Sequence, residues 1–337
     1  MGLKVLLTGH KGYIGHILRE RLVNEGHTVL GIDTDYFKKH TPLPARNFTE
    51  KIMDIREIGP ADLKGIDAVI HLAAISSDSS SKISPVSTID INASTTKRLA
   101  RLAKEQGVKR FIFSSTVGIY GSHPDNELCT EATPPDPLTP YSLSKLQGEE
   151  RVAELADENF SPVFLRNATV YGWSPRMRCD APINSFIYGA ITSNTVTLKT
   201  DGLAWRSIIH VDDLSRAFTM VLGAPRDLIH NQVFNLGVTR ENYRLKDVAN
   251  VAVKMVPGAT LEVGKKPASS TCKVDFSKFE KTFGFTNKWS LEEGYAEIIK
   301  HGEEMKGPVT EYSNYRAMIA LREQDLIDNS FRWTKKG

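Results

Sequence analysis

Cysteine is scarce in this chain. The three thiols among 337 residues, Cys129, Cys179 and Cys272, stand far apart in sequence. No Cys-x-x-Cys or Cys/His ligand spacing occurs, so neither a disulfide framework nor a zinc site is indicated, and no metal is expected. Charge of either sign is nearly balanced at a net +3, too little to mark a nucleic-acid or membrane-binding surface. No apolar run approaches the ~20 residues of a membrane span. The apolar residues 3–7 are too short for a signal-peptide core and read as a strand. These absences predict a cytoplasmic protein. Repeats and low-complexity tracts are also missing. What remains is an ordinary globular composition, 40% hydrophobic and 25% charged, long enough for a large core with a smaller appendage.

The first half alternates apolar runs with helical patterns. Strands are predicted at 3–8, 28–33, 51–54, 68–73, 108–115 and 162–167. Helices are predicted at 14–25, 84–106 and 141–157, with Ile89, Ala93, Leu99 and Leu102 on the buried face of the long one. This β-α-β-α rhythm implies an α/β fold, a doubly wound parallel sheet of Rossmann type. From about residue 172 irregular segments interleave with helices at 183–192, 211–222, 244–255, 278–283 and 291–305. The expected division is a cofactor domain at 1–171 and a smaller, loop-rich substrate domain at 172–337, with some segments returning to the first.

The run Thr8-Gly9-His10-Lys11-Gly12-Tyr13-Ile14-Gly15 joins the first strand to the first helix. Gly9 suits the tight turn, Gly12 the approach of a pyrophosphate, and Gly15 close helix–strand packing. The helix N-terminus behind them favours an anion. Asp33 ends the second strand 18 residues after Gly15, where an acid accepts both ribose hydroxyls of an adenosine. Its charge opposes a 2′-phosphate, as does that of Asp35, so the expected cofactor is NAD rather than NADP. Lys38 and Lys39 follow closely and pull the other way.

Tyr141 and Lys145 lie four apart on a predicted helix and therefore on one face. A phenol titrates near pH ~10, and a neighbouring cation favours its phenolate. Lys145 alone would not bring Tyr141 to neutrality, so a second positive charge, such as an oxidised nicotinamide ring, is expected beside it. The spacing also occurs by chance on amphipathic helices, and the bare pair leaves both readings open.

Several separated motifs together resemble the extended short-chain dehydrogenase/reductase superfamily and, within it, the NAD-dependent nucleotide-sugar epimerase/dehydratase group. They are the Gly9–Gly15 loop, Asp54-Ile55, His71-Leu72-Ala73-Ala74, Asn92, the run from Phe113 through Thr116 to Tyr120-Gly121, Tyr141-x-x-x-Lys145, and the segment Arg206 to Asp213. The resemblance covers nearly the whole chain. It implies that Tyr141 is the acid/base, Lys145 lowers its pKa and binds the nicotinamide ribose, and Thr116 hydrogen-bonds the reacting oxygen. It implies cofactor contacts at Gly9, Lys11, Gly12, Tyr13, Ile14, Gly15, Asp33, Asp54, Ile55, Leu72, Ala73, Ala74 and Asn92. Substrate contacts fall at Thr116, Thr169, Asn184 and Arg206, the last two toward a nucleotide diphosphate. A second diphosphate arginine is replaced around Ser270, for which Arg176 and Arg178 could compensate. In the group's 4,6-dehydratases an Asp-Glu pair follows the catalytic Thr; here Val117 and Gly118 stand there, which argues against dehydration. An epimerase is the leading expectation and a dehydrogenase or ketoreductase the alternative; a non-catalytic dinucleotide sensor is a third. A homodimer through the helices at 84–106 and 141–157 is implied by the same resemblance.

Overall fold

The computed structural model describes residues 2–37, 46–305 and 312–335. Lys38 and Lys39 lie outside the described residues. Seven parallel strands form the central sheet. Their spatial order is Gln232–Leu236, Ser161–Asn167, Arg110–Thr116, Ala68–His71, Lys4–Thr8, Thr28–Asp33 and Phe48–Ile52. The chain starts near the middle, runs to one edge, and crosses back beside its own first strand. The switch falls between Lys4–Thr8 and Ala68–His71, and ligands of open α/β sheets bind outside the carboxyl ends of the strands at such a point.

The sheet is buried on both faces, and side-chain alternation sorts the core. Val5, Leu7, Ile70 and Ile112 pack on one side. Leu6, Val69, Phe111 and Phe113 pack on the other. Successive residues of a strand point to opposite faces, so a run apolar at every position needs helices on both. A third cluster joins the helices Pro182–Ser193, Leu245–Met255 and Leu291–Lys300 around Ile187, Ala249 and Tyr295.

The expected Rossmann-type sheet is present, with local differences. The third strand is Phe48–Ile52 rather than 51–54. The long helix at 84–106 is broken: α-helical Pro85–Ile89, a π-helical turn Asp90–Ser94, then α-helical Thr95–Glu105. The wider turn shifts the buried face, so Ile91, Asn92 and Ala93 point inward while Ile89 and Leu102 are only half-buried. Helix Asn314–Glu323 has no counterpart among the sequence expectations. Leu291–Met305 divides into a helix to Lys300 and a 3-10 turn Gly302–Met305.

Candidate active site

A cavity of about 530 Å³ opens along the carboxyl ends of the strands. It runs from the Gly9–Gly15 loop, past Thr116, Tyr141 and Lys145, to Arg206 and Ser270. At the loop end Gly9 has φ +78°, and a Cβ there would stand 2.8 Å from the Ala73 nitrogen. A Cβ on Gly15 would stand 2.0 Å from the Gly9 carbonyl oxygen. No larger residue fits either position. Gly12 is the N-cap of helix Tyr13–Asn24, whose free N–H groups face the cavity end of the first strand. The Asp33 carboxylate lines the cavity and accepts hydrogen bonds from the Lys11 and Asp35 backbone N–H groups, each at 3.0 Å. Burial raises its pKa above the usual carboxylate range, and it has no ion pair among the described residues. Two donor hydroxyls would complete its coordination.

Not every residue of the expected cofactor set reaches the cavity wall. Gly9, Gly12, Tyr13, Ile14, Gly15, Asp33, Asp54, Ile55, Leu72, Ala73 and Ala74 do. Lys11 does not: its ammonium pairs with Asp35 at 2.8 Å, and only its backbone serves Asp33. Asn92 does not either. The π turn aims its amide at the Ile75 backbone, N–H and carbonyl alike, and at the Ser144 hydroxyl, so it splices two wall segments together. Asp54 is on the wall, but Arg56 takes both its oxygens, at 2.9 and 2.6 Å.

The centre of the cavity is built by helix Pro140–Ala153. Thr139 caps it, accepting from the Ser142 N–H while the Ser142 hydroxyl accepts from the Thr139 N–H, and Pro140 suits the first turn. That start places Tyr141 and Lys145 on the cavity face. Lys145 donates to the Ser114 carbonyl at 2.7 Å and lies 4.7 Å over the Phe113 ring. The Thr116 hydroxyl accepts from the Gly118 N–H at 3.0 Å and lies on the same wall as Tyr141, whose pKa it lowers.

Burial dominates the electrostatics of the pair. Burial pushes the Tyr141 phenol up to about 12, assisted by Asp78 and opposed by Arg178 and Thr116. Burial also pulls the Lys145 ammonium down to about 7, with Glu149 opposing. Both groups lose their hydration, and Arg178 lowers the phenol's pKa against its burial.

Toward the far end, Arg206 donates to the Ser270 carbonyl at 2.9 Å and the Ser270 hydroxyl at 3.0 Å. Thr169 and Arg178 are also on the wall. Arg176 and Asn184 are not. The Arg176 guanidinium is buried 4.0 Å over the Phe37 ring and donates to Asn314. Asn184 accepts from the Gly172 N–H and donates to the Tyr13 hydroxyl and the Arg178 carbonyl. It shapes the wall from behind. Wall residues with no counterpart among the sequence expectations are Thr34, Tyr36, the serine-rich stretch at 76–80, Asn314 and Met318. The serine run was a compositional signal; the last two arrive only through tertiary packing.

A family model described as the NAD dependent epimerase/dehydratase family matches residues 5–237. The chain belongs to the NAD-dependent epimerase/dehydratase family. It is 30% identical over 319 residues to the uncharacterized UDP-glucose epimerase YtcB of Bacillus subtilis (strain 168), across 89% of this chain and 98% of that protein. Among solved structures, MoeE5 in complex with UDP-glucose and NAD superposes with a TM-score of 0.79 at 27% identity, over 90% of this chain and 100% of that one. UDP-glucuronic acid 4-epimerase from Bacillus cereus, in complex with UDP-glucuronic acid and NAD, gives 0.77 at 27%, again over 90% and 100%. NAD is the cofactor, and the glycine cradle and the Asp33 carboxylate fit it. No helix among the described residues is long and apolar enough to cross a membrane, and no group of three His, Cys, Asp or Glu among them could hold a metal ion.

Proposed function

We propose that this member of the family is a nucleotide-sugar epimerase that works by transient oxidation of a ring hydroxyl, with UDP-glucose at C4 as the first substrate to test. The observation that carries the proposal is the convergence of Tyr141, Thr116 and Lys145 on one cavity that continues from the Asp33 end to Arg206. NAD, when bound, supplies the hydride acceptor and the positive ring that the buried phenol needs. Tyr141 Oη takes the proton of the substrate hydroxyl and returns it after the sugar has turned its other face. Thr116 Oγ1 holds the reacting oxygen against Tyr141. Lys145 Nζ, fixed by the Ser114 carbonyl, would hold the ribose of the cofactor. Arg206 binds the diphosphate through the guanidinium edge not spent on Ser270.

Val117 and Gly118, after Thr116 on the wall, carry no group able to move a proton. That supports inversion over loss of water. A homodimer through the segments 84–106 and 141–157 belongs to the same proposal, and gel filtration that finds only monomer at micromolar concentration would contradict it. The function is tested by incubating the NAD-loaded protein with UDP-glucose. Inversion at C4 without net NADH is expected; steady NADH formation would show a dehydrogenase instead.

A further inference from the structure

The sugar end of the cavity carries an uneven charge. Asp78, on the wall and solvent-exposed, begins the short helical turn Asp78–Ser81. Its Oδ1 accepts from the Thr139 hydroxyl at 2.7 Å, and Thr139 caps the helix on which Tyr141 sits two residues later. The carboxylate is thus tied to the element that holds the proton-moving group. Its field reaches both functional ends: burial raises the pKa of Tyr141 and Asp78 adds to that rise, while at Arg206 burial lowers the pKa and Asp78 opposes it. Asp78 therefore stands between the reacting centre and the cation on the diphosphate side. It has no ion pair among the described residues. The nearby cation Arg178 is already committed, 3.0 Å from Asp180 and donating to the Ser76 carbonyl at 3.2 Å. Asp78 is therefore a wall carboxylate with no ion-pair partner among the described residues.

A carboxylate in that position accepts hydrogen bonds from sugar hydroxyls. It meets a uronic acid with like charge at contact range, well inside a Debye length. Specificity is a difference of affinities, and a repulsive element against the competitor supplies it as well as a contact with the true substrate. We propose that Asp78 sets the substrate class: the site takes a nucleoside-diphosphate sugar whose glycosyl group is uncharged and rejects the corresponding uronate. Among similar solved structures MoeE5 holds UDP-glucose in one complex and UDP-glucuronic acid in another, so the fold by itself excludes neither ligand and selection must come from side chains of the wall. The inference rests on the nucleotide-sugar reading above.

The test is calorimetric titration of the NAD-loaded protein with UDP, UDP-glucose and UDP-glucuronic acid, repeated on Asp78→Asn and Asp78→Ser, with retained NAD binding as the check that each variant is folded. UDP-glucose is expected to bind about 30-fold more tightly than UDP-glucuronic acid. Either variant should shrink that gap to a few-fold, mainly by gaining affinity for the uronate. If the unmodified protein binds UDP-glucuronic acid as well as UDP-glucose, or if both folded variants keep the gap, Asp78 is not the selector, while the nucleotide-sugar reading stands. If neither UDP nor either UDP-sugar binds, the nucleotide-sugar reading fails and Asp78 loses its role with it.

Discussion

In the proposed reaction Tyr141 carries the proton, and its surroundings set how readily it does so. Without a cofactor cation its phenol lies at about 12, so it holds its proton across the physiological range. Tyr141→Phe keeps the ring and its packing but removes the proton carrier. Turnover of UDP-glucose should fall by ~10²–10⁴-fold, while NAD affinity measured by calorimetry changes little. Asp33 makes the complementary prediction at the other end of the cavity. Asp33→Ala removes the acceptor for the ribose hydroxyls, and NAD affinity should drop roughly 10- to 100-fold. NADP, no longer repelled there, should lose much less. A variant that binds NAD as before would show that the adenosine lies elsewhere.

At the scale of elements, a buried polar network holds helix Pro140–Ala153 to the sheet. Arg166 on strand Ser161–Asn167 donates to Glu149 at 2.8 and 3.1 Å and to the Tyr120 hydroxyl at 2.9 Å. Tyr120 in turn donates to Asn235 on strand Gln232–Leu236 at 2.6 Å, and Ser115 donates to Glu149. Glu149 and Arg166 are both nearly inaccessible, so removing one partner strands the other's charge. Arg166→Met should cost about 3–5 kcal/mol in urea unfolding, and the double replacement Arg166→Met with Glu149→Leu should recover most of it. Equal losses in the single and double variants would mean that the pair contributes packing rather than charge compensation. Glu149 also lies one turn beyond Lys145 and holds the lysine pKa up, so this network reaches the cavity through the helix.

The elements differ in how much of this was legible in the sequence. The Gly9–Gly15 loop, Asp33 and the Tyr141–Lys145 pair were readable because each depends on local spacing along one strand or helix. The π turn at Asp90–Ser94 was not, since an added residue in a helix leaves no periodic signature of its own, and it turned Asn92 from an expected cofactor contact into a splice. Arg176 and Arg178 are two apart in one loop yet end in different surroundings, one buried over Phe37 and one on the cavity wall. Only the packing of distant segments decides that. The burial of Lys145 was not legible for a related reason: spacing gives the distance to a neighbour but not the loss of water around it.

Across the whole molecule, the far end of the chain returns to the cofactor side. Met318 and Asn314 enter the cavity wall, and the Trp333 indole donates to the Thr34 carbonyl at 2.8 Å. Stability of the whole should also carry a pH signature. His71, bonded to Thr8 and Thr96, and His16, bonded to the Gly12 carbonyl, are buried, and burial lowers the pKa of each to about 3. The unfolded chain, with imidazoles near ~6.5, binds more protons than the folded one between those values. Stability should therefore be intact above pH ~6.5 and decline as the pH falls toward ~3, by up to about 1.4 kcal/mol per pH unit for each imidazole. Urea unfolding at a series of pH values measures the slope, and His71→Gln should reduce it.

The central claim is that one cavity oxidises a sugar carbon and returns the same hydride to the opposite face. UDP-glucose deuterated at C4, incubated with the NAD-loaded protein in ordinary water, tests it most directly. NMR of the products should find UDP-galactose with deuterium still at C4 and no NADH accumulated. Loss of the label to solvent, release of water from the sugar, or one NADH per turnover would contradict the account.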